Sequence, residues 1–151
     1  MPAIPKKLSV KISLAFSAVF FAALAAACFM FPVFVRHLYA AEAVVSLPER
    51  WIILVLGYSA LLAAAVADVL LALLLKRVDK GLVFTGMTAA LVRRVSWCCF
   101  FVGLVFAALG FIYLLSWAVC LAAVLLGFCL RVVKNVIEEA IEIKSENDLT
   151  V

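Results

Sequence analysis

Long apolar stretches alternate with short clusters of charge along this chain. Residues 12–35 carry no charge, residues 51–75 carry only Asp68, and residues 95–130 carry none. None of these runs alternates with the period of two that a barrel strand needs, and none confines its apolar positions to one side. The pattern predicts membrane-crossing helices. As one helix, residues 95–130 would extend about 54 Å at ~1.5 Å per residue, against a hydrocarbon layer of roughly 30 Å, so they are expected to cross twice. The turn is expected near Leu114 to Trp117, where Tyr113, Ser116 and Trp117 bring together the polar-tipped aromatics and hydroxyl typical of a membrane surface. The predicted crossings are residues 12–35, 51–75, 95–115 and 116–137, with a tail over 138–151. The fold class is all-α: an integral membrane four-helix bundle in one domain, both termini cytoplasmic and the fourth helix extended into the cytosol.

Local signals set the expected helix ends. Ser46-Leu47-Pro48-Glu49 has capping-box spacing with Pro just inside the start, so the second helix should begin there, with Trp51 at the interface. Gly81 suits a helix stop, and Thr85 is placed to cap a third helix with Phe84 as the apolar residue before it. Pro32 should bend or end the first helix. A basic leader (Lys6, Lys7, Lys11) and Ala25-Ala26-Ala27-Cys28 also suit a cleaved secretory segment, but the apolar run continues to Val35, past a signal core of roughly 7–15 residues. Ala18, Ala22 and Ala26 recur every four residues and offer a flat face for another helix; Gly103 with Ala107, and Ala123 with Gly127, do the same later.

Composition narrows the class without naming an activity. A chain that is 70% hydrophobic, with a mean hydropathy of +1.30, has too little polar surface to cover a soluble globule. The net charge of +4 does not call for nucleic acid, because all but Arg36 and Arg50 of the 13 Lys and Arg fall in groups flanking apolar runs. The basic loop formed by Lys76, Arg77, Lys80, Arg93 and Arg94 places that side in the cytoplasm. Attraction of anionic lipid or an acidic partner is the other use such a loop has. The five cysteines sit inside apolar runs without CxxC pairing or a nearby ligand histidine and are expected to pack; His37 is expected at the interface. No Ser/His/Asp set, phosphate-cradling glycine loop, metal cluster or carboxylate pair is present in the sequence, so neither an enzyme nor a cofactor is expected.

Two features carry functional expectations. Asp68 lies eight residues from Lys76, about 12 Å along a helix, deep in the layer. An ionised Asp there costs roughly 2.5–3.5 kcal/mol on insertion scales, so it should be protonated, hydrogen-bonded or turned inward. One reading is a coupling-ion or substrate site; the other is an interhelical hydrogen bond to Ser13, Ser17 or Tyr58. Ala64, Ala65 and Ala72 share its face. In the tail, Val133, Val136, Ile137, Ala140 and Ile141 keep helical spacing while Asn135, Glu138, Glu139, Glu142 and Glu146 occupy other faces. That stripe either packs on the start of the third helix, with its glutamates near Arg93 and Arg94, or is offered to a cytosolic partner. The final Leu149-Thr150-Val151 loosely fits an apolar C-terminal recognition motif.

The same tail carries a family resemblance. Asn135-Val136-Ile137-Glu138-Glu139-Ala140-Ile141-Glu142-Ile143-Lys144, running on to Glu146-Asn147-Asp148-Leu149-Thr150-Val151, resembles the end of a bacterial membrane family known as domain of unknown function number 2975. Asp79, Lys80, Gly81, Phe84 and Thr85, followed by Arg93, Arg94 and Trp97, are similar to its linker into the third helix; Gly86-Met87-Thr88 departs from it. The resemblance implies four crossings with both ends in the cytoplasm of a bacterial inner membrane. It also implies a neighbour, since such proteins are often encoded beside a very small helix-turn-helix regulator. The first functional expectation is therefore a non-enzymatic membrane partner that recruits or restrains that regulator, with Glu138, Glu139, Ile141, Glu142 and Glu146 and the basic middle loop as contacts and no direct binding of nucleic acid. The second is a small transporter or channel subunit, working as a homo-oligomer around Asp68.

Overall fold

The computed structural model describes residues 6–41 and 47–149, with side chains over 8–37 and 49–147. It contains α1 (Lys6–Ala41), α2 (Leu47–Asp79), α3 (Gly86–Gly110) and α4 (Ser116–Leu149), and no strand among the described residues. All four helices are long and apolar enough to cross a membrane. Large apolar side chains point outward on every helix, among them Phe16, Phe29, Leu62, Leu104 and Leu121, as a lipid-facing surface requires. The expected start at Ser46 and the terminal Thr150 and Val151 lie outside the described residues.

The helices form an all-α bundle whose neighbours follow chain order. α1 packs on α2, α2 on α3 and α3 on α4, and no other two helices bring their backbones together among the described residues. α3 therefore has a neighbour on each side and buries residues along its whole length, from Thr88 to Gly110. One core cluster joins Val35 of α1, Ile53 and Ala60 of α2, and Val105 and Leu109 of α3, with Phe31, Phe106 and Tyr113 packed around it. This cluster lies toward the α1–α2 connection, and at the opposite end α1 stands apart from α3 and α4.

The connections follow from their residues. α2 ends as expected at Gly81, which takes φ +74°; Gly81 N–H donates to Val78 O at 3.0 Å and Leu82 N–H to Arg77 O at 3.0 Å. These are the paired bonds of a Schellman stop. Thr85 is the N-cap of α3, and its Oγ1 accepts from Thr88 N–H at 3.4 Å. Phe84 stays exposed. Thr88, at 1% exposure, locks this loop by donating from Oγ1 to Leu82 O at 2.9 Å, so one residue of the Gly86-Met87-Thr88 departure is structural.

Several boundaries differ from the sequence reading. α3 stops at Gly110, and the turn occupies the residues between it and Ser116, slightly ahead of the expected Leu114 to Trp117. The reason is contact: the Trp117 ring lies over Gly110, where a Cβ would meet its Nε1 at 2.6 Å. α1 does not end at Pro32 but runs on to Ala41. The alanine face of α1 is also reassigned, since Ala18, Ala22 and Ala26 are exposed while Leu14, Ser17, Ala27, Cys28, Phe31 and Val35 turn inward. Two hydrogen bonds and the fit of Phe31 against Gly57 draw that second face toward α2.

Candidate functional site

Asp68 is 6% exposed although it sits within an apolar helix. Ser17 of α1, itself 7% exposed, donates from its hydroxyl to Asp68 Oδ1 at 2.9 Å. Of the three partners considered for Asp68, Ser17 is the one in place. The Tyr58 hydroxyl donates instead to the Cys28 carbonyl at 3.2 Å, nearly three turns nearer the start of α2, and its ring meets Phe31 edge-on with centroids 5.4 Å apart. α1 and α2 are thus joined at two levels by side-chain hydrogen bonds.

The Ser17–Asp68 contact forms part of the wall between two hollows. The larger is a cleft of about 830 Å³ lined by all four helices: Phe16 and Phe20 of α1, Ala64 and Leu71 of α2, Val102 of α3 and Leu126 of α4 define its extent. Ser13, Ser17 and Asp68 supply its oxygen-bearing side chains, and Cys98 and Cys99 its thiols. The smaller hollow, about 420 Å³, lies between α1 and α2 and runs from Asp68 past Ala72 to Lys76. Ala64 faces the larger hollow and Ala72 the smaller, so the small residues beside Asp68 make room on both sides of it. The cysteines are free, and no cluster of three or more metal-ligating side chains occurs among the described residues.

The tail candidates lie elsewhere. α4 continues unbroken past Arg131, whose guanidinium carbon sits 5.1 Å from the centre of the Trp97 ring and 5.8 Å from that of Phe100. Below this level the α3–α4 contact is close. A Cβ on Gly103 would lie 2.8 Å from Val124 Cγ2, a Cβ on Gly127 would lie 2.9 Å from Phe100 Cε1, and Ser96 donates to Gly127 O at 3.0 Å. Continuing that antiparallel register brings Val92 and Thr88 beside the turns that hold Lys134, Ile137 and Glu138. Burial agrees: Lys134, Ile137, Glu138, Ala140 and Ile141 are half-buried, while Val133, Val136, Glu139, Glu142, Ile143 and Glu146 are exposed.

The sequence-predicted tail residues therefore divide. Ile141 and Glu138 belong to the face turned toward α3, and Glu138 pairs with Lys134 of its own helix. Glu139, Glu142 and Glu146 face outward. The expected approach of the glutamates to Arg93 and Arg94 is not seen: both arginines are exposed, and neither pairs with Glu138, Glu139 or Glu142. Lys76, Arg77 and Lys80 gather at the end of α2, with Arg77 reaching the Met87 sulfur. Sequence reasoning missed the cleft, which is assembled from helices far apart in the chain. The buried hydroxyls of Thr88 and Ser96 were missed as well; their only signal is a hydroxyl at helical spacing on an apolar face.

These features define a multi-pass helical membrane protein with, among its described residues, one buried acid inside its apolar layer. The sequence profile of the family described as Protein of unknown function (DUF2975) matches residues 19–151, and the chain belongs to that family. No curated protein and no solved structure matches it.

Proposed function

We propose that this protein is a non-enzymatic membrane partner that recruits or restrains a small helix-turn-helix transcription regulator at the cytoplasmic face of a bacterial inner membrane. The observation that carries the reading is the continuation of α4 as one helix to Leu149, half-buried along the side toward the start of α3 as far as Ile141 and presenting Glu139 and Glu142 beside the exposed Val136 and Ile143. Counted from Arg131, that extension is about 27 Å long at ~1.5 Å per residue. A backed helix loses little conformational freedom when a partner docks, which favours recognition through its exposed face.

Orientation and chemistry support the same reading. Lys76, Arg77, Lys80, Arg93 and Arg94 lie at the end shared with the tail, and the positive-inside rule turns that end to the cytoplasm, both termini with it. DNA-binding surfaces are basic, so an acidic helix attracts such a regulator and competes with DNA for it, while repelling nucleic acid itself. The regulator as partner comes from the gene neighbourhood implied by the family.

The test is co-expression with the neighbouring regulator followed by membrane fractionation. Replacing Glu139 and Glu142 by Lys, or deleting residues 143–151, should move the regulator from the membrane to the soluble fraction. Co-sedimentation undiminished in both variants would end the proposal.

A further inference from the structure

We propose that the cleft beside Asp68 is a binding site for a lipophilic amine, a molecule with an apolar body and a protonated amino group that enters sideways from the bilayer. The proposal concerns the membrane layer and stands apart from the tail. Four observations support it.

The cleft has the size of a small-molecule site: about 830 Å³, within the roughly 300–1,000 Å³ of ligand pockets generally. Its wall is almost entirely apolar, from Phe16 and Phe20 across Leu71 and Val102 to Leu126, which suits a hydrocarbon body. Access is lateral, because α1 makes no backbone contact with α3 or α4 and no bridging element has to move aside. Asp68 is the one acid among the described lining residues, and it is incompletely satisfied. Asp68 is more than nine-tenths buried, Oδ1 accepts from Ser17, and Oδ2 receives no hydrogen bond from any described residue.

The unfilled oxygen selects the class of occupant. In an ion pair with an ammonium group the carboxyl offers lone pairs alone; an anion is repelled by the same charge, and an alkane gains nothing from it. A lipid acyl chain would fill the apolar volume and leave Oδ2 without a donor, which is costly at this depth. An ammonium group brings both the donor and the opposite charge. Ser17 acts as a positioning residue, holding the carboxyl at the α1–α2 seam, where it lines both the cleft and the smaller hollow.

The experiment uses the full chain in lipid nanodiscs and three probes of equal chain length: dodecylamine, dodecanol and dodecanoate. Dodecylamine should bind saturably at one site per chain, at least about tenfold more tightly than dodecanol, with dodecanoate weakest. D68N should remove the preference for the amine over the alcohol and leave dodecanol binding as it was. L126W, which fills the cleft from a half-exposed position and leaves Asp68 intact, should weaken both probes; it keeps the test decisive if D68N does not fold. Deleting residues 143–151 should change none of these affinities, which separates this site from the tail reading. Equal binding of amine and alcohol to the natural chain, or amine binding unchanged in L126W, would overturn the proposal. So would a dimer that occupies the cleft, seen as L126W converting a dimeric chain to a monomer with no amine bound to either.

Discussion

The α3–α4 pair and the α1–α2 pair are both made of helices apolar enough to cross a membrane, yet only the first is close-fitted along its length. Between α3 and α4, Gly103 admits Val124, Gly127 admits Phe100, Gly110 admits Trp117 and Ser96 donates to the Gly127 carbonyl. Between α1 and α2, Gly57 admits the Phe31 ring, and the remaining ties are the hydroxyls of Ser17 and Tyr58. The contrast shows what holds helices together in a solvent as oily as they are. Burying another Leu gains nothing over leaving it in lipid, whereas close backbone approach and satisfied polar groups do. α3 has these against α4, packs on α2 as well, and forms the spine. α1 has few, and the space it leaves beside α3 and α4 is the cleft.

Substitutions can break this comparison or sharpen it. The largest effect is expected from G103L, which forces a side chain into Val124 near the Cys120 carbonyl and should destabilise the α3–α4 pair by about 1–3 kcal/mol, read as a lowered thermal midpoint in detergent. A midpoint equal to that of the natural chain would mean that α3 and α4 are no tighter than α1 and α2. T85A comes next. It removes the Oγ1 cap of α3 and should cost about 1 kcal/mol, visible as faster hydrogen exchange over the first turn of α3 and not at Asp68.

On the open side, S17A and D68N form a double-mutant cycle whose coupling should be about 0.6 kcal/mol, the usual size for an interhelical hydrogen bond in a membrane. Coupling indistinguishable from zero would show that α1 is held by packing alone. The smallest change should come from E138Q, which weakens a helical i,i+4 pair with Lys134 by about 0.3 kcal/mol and should vanish at high salt. A larger, salt-insensitive loss would place Glu138 in the α3–α4 contact itself.

Legibility in the sequence followed the strength of the local signal. Gly81 and Thr85 announced the α2–α3 connection because a left-handed residue and a capping hydroxyl are local chemistry, and both stand where they were expected. Gly103 and Gly127 were readable as close-approach positions for the same reason. The Ala18, Ala22 and Ala26 stripe misled, since Ser17 and Phe31 on the other face of α1 had specific partners on α2. For Asp68 the burial was foreseeable from the cost of exposing a carboxyl to lipid. Its choice of Ser17 over Ser13 or Tyr58 was not, because that depends on the rotation and height of α1 against α2.

The sequence by itself determined that four helices cross a membrane, that α2 stops at Gly81 and that Thr85 caps α3, because transfer into lipid and capping are settled within one segment at a time. Only the tertiary structure decided which face of each helix meets a neighbour, that Ser17 satisfies half of Asp68, and that the space between α1 and α4 stays open. The reason is the solvent. In water an apolar face announces its own burial, but in a bilayer every apolar face is already at home, and a few glycines and hydroxyls choose the partners.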